Sequence, residues 1–158
     1  MRLLSRDEDG SVWHLGSGQR DLLLVMFDAA ATRPGRKPGI SRMSPELDAR
    51  YRADLAENLE LERISAQGTL TDSLRDPVRC EELPDGHRWR LDLDETETFL
   101  QALNAIRIGA WERLGCPDES DAVLSQAFQP GTVEFLDRWL FALSGRFLER
   151  VLVELEED

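Results

Sequence analysis

The chain has few of the residues that would staple it or anchor it. Among 158 residues there are two cysteines, Cys80 and Cys116, and no CxxC pair. Two lone thiols do not build the disulfide framework of a small secreted domain; they suit a reducing compartment. Lysine is nearly missing, with Lys37 the single one among 19 basic residues. That bias toward arginine reads as the codon usage of a GC-rich genome. Long apolar runs are absent as well. The longest early one, Leu22 to Phe27, is far short of the roughly 20 residues that a bilayer-spanning helix needs. The opening stretch MRLLSRDEDG meets charge early and has no apolar core, so a cytoplasmic protein without a secretory signal is expected. Basic side chains are in deficit, 19 against 31 acidic, for a net charge of −12. Such a charge repels nucleic acid and anionic membrane surfaces, and neither is expected as a partner.

What is present describes a folded domain. Hydrophobic residues make up 41% of the chain, with four Trp and six Phe, which excludes a disordered acidic tail. A chain of this length buries about 68–70% of its unfolded surface, enough for one domain over residues 1–158 without a metal or disulfide.

Local patterns place two hairpins among the helices. Met1–Arg6 and Ser11–Leu15 flank the turn Asp7-Glu8-Asp9-Gly10, and Val78–Leu83 and His87–Leu93 flank Pro84-Asp85-Gly86. A lone hairpin is marginal, so the two are candidates for one small antiparallel sheet. Ser17 is the expected cap of a helix to about Ala31, apolar nearly all round and therefore central. Residues 33–43, with two Pro, two Gly and four basic groups, read as a flexible basic connector.

Ser44-Pro45 opens the next helix, whose Leu47, Tyr51, Leu55 and Leu59 form a stripe that ends near Gln67 before Gly68. Asp94 and Glu97 have capping-box spacing and begin a helix that stops at Gly115. A short helix over about 118–128 follows. Thr132 caps the last helix, with Leu136, Leu140, Leu143, Phe147 and Val151 in a stripe broad enough for two neighbours. The expected class is α+β, mostly α: four or five bundled helices with two short hairpins.

Two of these helices carry a resemblance. ALNAIRIGAWERLG (102–115) resembles the Leu-Asn-x-x-Arg-Leu-x-x-x-x-Arg-Leu-Gly helix of a bacterial family of unknown function, and WLFALSGRFLERVL (139–152) resembles its terminal Trp-Leu-x-x-Leu helix. The family is domain-of-unknown-function family number twenty-seventeen, and the resemblance is clearest over about residues 91–152. Its genes commonly lie beside that of ClpS, the adaptor of the Clp protease. The resemblance thus implies a neighbourhood, regulated proteolysis, and no particular chemistry or cofactor.

Several residues invite a functional reading, each beside a plainer one. Asn104 and Arg107 are helix neighbours at i, i+3, and Arg107 shares an apolar stripe with Leu103, Trp111 and Leu114. The pair could recognise a partner's carboxylate, a task that suits the planar guanidinium. Alternatively Arg107 is an internal clamp on an acid such as Asp137. Arg36 and Lys37 in the connector could dock an acidic partner, or belong to a solvated linker. Residues 1–42 hold seven basic and five acidic groups, so residues 43–158 carry a net −14.

Asp92, Asp94, Glu95 and Glu97 read as strand and cap residues rather than a metal cluster. His14, His87, Cys80 and Cys116 lack the spacing of a zinc site, although Cys80 and His87 could be cross-strand neighbours. Gly16-Ser17-Gly18 is a turn rather than a phosphate loop. Glu154, Glu156, Glu157 and Asp158 follow a helix C-terminus, where the dipole disfavours them and fraying is expected.

The reading that follows is a non-enzymatic protein-interaction or regulatory domain, without metal or cofactor, linked by resemblance to Clp-dependent proteolysis. A homodimer through Trp139 and Leu140 of the last helix is compatible with it. The alternative is a small enzyme or ligand-binding domain around Arg107 and the hairpin acids.

Overall fold

The computed structural model describes residues 1–33, 45–115 and 133–156. Over these the chain runs β1 (Arg2–Asp7), β2 (Gly10–Gly16), α1 (Gln19–Ala31), α2 (Pro45–Arg75), β3 (Cys80–Leu83), β4 (Gly86–Asp92), α3 (Leu93–Arg113) and α4 (Val133–Glu156). The class is α+β and mostly helical, as expected. The two hairpins share one antiparallel sheet in the order β1-β2-β4-β3. The connector with Arg36 and Lys37, the proposed helix over 118–128, and Cys116 lie outside the described residues.

The β2–β4 ladder joins the hairpins and places Trp13 directly opposite Trp89. Both indoles are fully buried. A buried indole N–H needs an acceptor. Trp13 Nε1 donates to Ser11 Oγ at 2.8 Å, and Trp89 Nε1 donates to Ser73 Oγ at 3.0 Å. Ser11 in turn shares a 2.8 Å hydrogen bond with Thr96 on α3. Phe99 stands edge-on to Trp89 at 5.0 Å and to Phe27 at 6.5 Å, tying sheet, α3 and α1 into one cluster.

Glycine closes the ladder at each end. A Cβ on Gly10 would lie 2.2 Å from Leu91 O, and one on Gly86 would lie 2.0 Å from Leu15 O. Both residues also have φ near +150°, where side chains are disfavoured.

The helices depart from the sequence expectation at their ends. Ser17 does not cap α1. The N-cap is Gly18 at φ 79°, without a side-chain bond, and Gln19 Oε1 instead accepts from Gly16 N at 2.8 Å. Nor is α1 buried all round: Leu23, Met26, Phe27 and Ala30 are inside, while Leu22 and Val25 face outward.

Helix α2 does not stop at Gln67. It continues to Arg75 because Leu70, Thr71, Ser73 and Leu74 bury its last turns, and it ends where Pro77 forbids helical backbone at Asp76. Gly68 is exposed within it. The stripe meant for the core does not reach it as a whole, since Leu59 is 43% exposed.

The capping box of α3 is Asp92 with Glu95, two residues earlier than the expected Asp94 with Glu97. Asp92 Oδ1 accepts from Glu95 N at 2.8 Å, and Asp92 N donates to Glu95 Oε2 at 3.0 Å. The strand therefore turns straight into the helix, and Leu93 is exposed rather than on the inner sheet face. Arg79 closes the corner with a double contact to the Glu95 carboxylate.

Helix α4 packs chiefly along α3 and also touches α1 and β1. Its stripe holds, with Leu140, Phe147 and Val151 buried. Its last turn does not present Glu154 as a loose acid. That carboxylate accepts from Leu3 N on the sheet edge at 2.9 Å and pairs with Arg150.

Candidate functional site

The side of α4 turned away from the core forms one wall of an open groove of about 570 Å³, and Arg107 of α3 lies at its base. Antiparallel packing sets Arg107 beside Gly145, where a Cβ would sit 3.7 Å from Arg107 Cδ. The walls are mostly apolar, with Phe141, Leu148, Leu152 and Val153. Leu152 and Val153 are 45% and 39% exposed. Arg146, Glu149 and Glu156 supply the polar rim. A smaller hollow of about 130 Å³ shares Arg107 and Phe141 and extends to Ile108 and Trp111. The described lining offers apolar area with a half-buried guanidinium.

Arg107 is not the clamp on Asp137. Among the described residues that buried carboxylate is held by Arg113, whose Nε donates at 2.8 Å, and by Arg33 at 3.8 Å. Arg113 lies nearer the end of α3, level with the start of α4, whereas Arg107 meets the middle of α4. Asn104, the other residue singled out from the sequence, is exposed and does not line the groove. The structure thus does not bring Asn104 and Arg107 together in one site.

The hairpin groups do not make a site either. Cys80 stands opposite Trp89 and His87 opposite Glu82, so Cys80 and His87 are not cross-strand neighbours. Burial pushes the Cys80 thiol above its usual range, against the opposing pull of Arg20, which keeps it protonated and a poor nucleophile. His14 Nε2 approaches Asp85 at 3.2 Å on the outer sheet face. Among the described residues no three His, Cys, Asp or Glu side chains are placed to hold a metal. Asp92 and Glu95 are engaged in the helix cap, and the turn 16–18 is occupied by the Gln19 side chain.

The sequence stripe Leu136, Leu140, Leu143, Phe147 and Val151 did not single out Gly145, Arg146, Leu148, Leu152 or Val153, which line the groove. The signal was there: α4 carries apolar residues on more of its circumference than its described neighbours cover.

The fold is a mostly helical domain built on a four-stranded sheet, with an apolar groove between α3 and α4 among the described residues. The family model for Domain of unknown function (DUF2017) matches residues 1–143, and the chain belongs to that family. The match takes in the amino-terminal hairpin, α1 and the 102–115 stretch, and it ends inside α4, after the first five residues of the 139–152 stretch. No curated protein and no solved structure matches the chain. Among the described residues no helix is long and apolar enough to cross a membrane.

Proposed function

We propose that this chain is a non-enzymatic interaction domain that receives a helix of another polypeptide in the α3–α4 groove. The observation that carries this reading is the apolar groove with Arg107 at its base and the exposed Leu152 and Val153 on its wall. Exposed apolar area rimmed by charge, as among the described residues here, is a mark of protein-contact surfaces. The finer reading, a role beside the Clp adaptor and protease, draws its support from the resemblance carried by helices 102–115 and 139–152. Titrating the purified chain with purified ClpS and with the Clp ATPase by calorimetry tests that role. A saturable complex is expected; no binding at any salt concentration sinks it.

A second reading, a small-ligand site, is favoured by Arg107 and Glu149 sharing the groove. It requires that a small dicarboxylate raise the melting temperature, and that Arg107→Ala abolish the rise.

A further inference from the structure

We infer that the outer face of the sheet is a docking surface for an extended acidic peptide whose carboxylates alternate along its chain. The inference does not rest on the α3–α4 groove. It begins with the pleat, which sends successive side chains to opposite faces. Trp13, Leu15, Trp89 and Leu91 are buried on the inner face. Their neighbours Val12, His14, Arg88 and Arg90 therefore point outward. Strand pairing sets Arg2 opposite His14, His14 opposite Arg88, and Arg88 opposite Glu81. One row of side chains thus crosses all four strands. Arg90 stands in the next row, opposite Val12.

The sign of this face is the reverse of the chain's. The net charge is −12, yet the face presents Arg2, Arg88 and Arg90 against the single carboxylate of Glu81. Asp85, in the β3–β4 turn, lies 3.2 Å from His14 Nε2. Glu81 is shared, 3.1 Å from Arg88 and 3.9 Å from Arg90. Arg2 has no ion-pair partner among the described residues. A guanidinium carries five N–H donors. Arg88 directs one to Glu81 at 3.1 Å, and Arg90 directs one to Val78 O at 3.3 Å. Most of each fork is left for a carboxylate, and the two side chains are 38% and 51% exposed.

Spacing selects the occupant. Arg88 and Arg90 are two residues apart on one strand, about 6.8 Å, which is also the repeat of alternate side chains in an extended peptide. Acids at every second position of a peptide laid along β4 meet both forks, a geometry suited to bidentate pairing. Arg2, two strands over at about 10 Å, raises the potential above the same face. A nucleic acid duplex also carries negative charge, but its size brings it against the acidic remainder of the molecule. The homodimer expected through the last helix has no such support. Leu140 is fully buried and Trp139 packs against the core, so neither is free to form it.

Calorimetric titration of the full chain with a capped peptide of five Glu-Thr repeats tests the proposal. Saturable binding is expected at low ionic strength, weakening as salt rises. Arg90→Gln should weaken it about two- to fivefold, and replacing Arg2, Arg88 and Arg90 together by Gln at least about tenfold. Glu81→Gln should tighten it about two- to fivefold, because two forks lose their competitor. Glu97→Gln removes the same charge from an exposed site on α3 and should leave the Kd unchanged.

No binding at low ionic strength, or a triple variant as tight as its parent, overturns the proposal. Equal gains from Glu81→Gln and Glu97→Gln do the same, since net charge alone then governs binding. So does tighter binding of a duplex oligonucleotide than of the peptide. If the triple variant loses its helical circular dichroism, Glu81→Gln decides, because a gain in affinity cannot come from unfolding.

Discussion

Trp13 and Trp89 show how much of this core depends on a few hydroxyls. Each indole N–H is buried against one serine, so Ser73→Ala leaves Trp89 with an unsatisfied donor. The expected cost is about 1–3 kcal/mol of stability, read from urea unfolding. Asp137 is a harsher case, a buried carboxylate between Arg113 and Arg33. Asp137→Ala removes the buried carboxylate that Arg113 and Arg33 share and should cost about 3–5 kcal/mol. A change under about 1 kcal/mol in the same assay would show that those arginines are satisfied without Asp137. The acid was named in advance but given to the wrong arginine. Helical spacing puts Arg107 on an apolar face, yet only the antiparallel register of α3 and α4 sets Arg113, not Arg107, beside Asp137.

Helix α2 illustrates propensity yielding to packing. Gly68 was the natural stopping point on sequence, and the helix passes through it because the four buried residues beyond outweigh a glycine penalty of about 1 kcal/mol. Gly68 is exposed, and a Cβ there would meet nothing within 4 Å. Gly68→Ala should therefore stabilise the protein by about 0.5–1 kcal/mol, seen as a higher urea midpoint at unchanged slope. A loss of stability would mean that α2 is not continuous there. The start of α3 carries a related lesson. Two acid pairs with capping spacing stand side by side, and sequence cannot choose between them. Asp92 and Glu95 win because Arg79, in the turn just before β3, binds Glu95.

The whole molecule has a pH response set beneath the sheet. Burial raises the Cys80 thiol, so the folded state keeps a proton that the unfolded chain gives up. Below the ordinary thiol pKa of 9.0 the two states bind that proton alike and the group contributes no slope. Above it stability falls with rising pH, through the folded-state pKa. Cys80→Ala should remove this part of the alkaline slope in urea titrations between about pH 8 and 10.5. Identical slopes in the two proteins would show that the thiol is reached by water.

The shortage of stapling residues fits this molecule, whose described residues are held together by burial and by a few charged contacts. From sequence alone came the two hairpins, the order of the described helices, the α+β class, and Arg107 as a residue of interest. Each is written in local periodicity, turn chemistry and capping residues, which act over a few positions. Only the tertiary structure decided that β2 pairs with β4, that α2 runs on to Arg75, and that Asp137 belongs to Arg113. It also decided that Arg107 opens into a groove while Asn104 points away. These depend on which distant segments meet, and no local spacing records that.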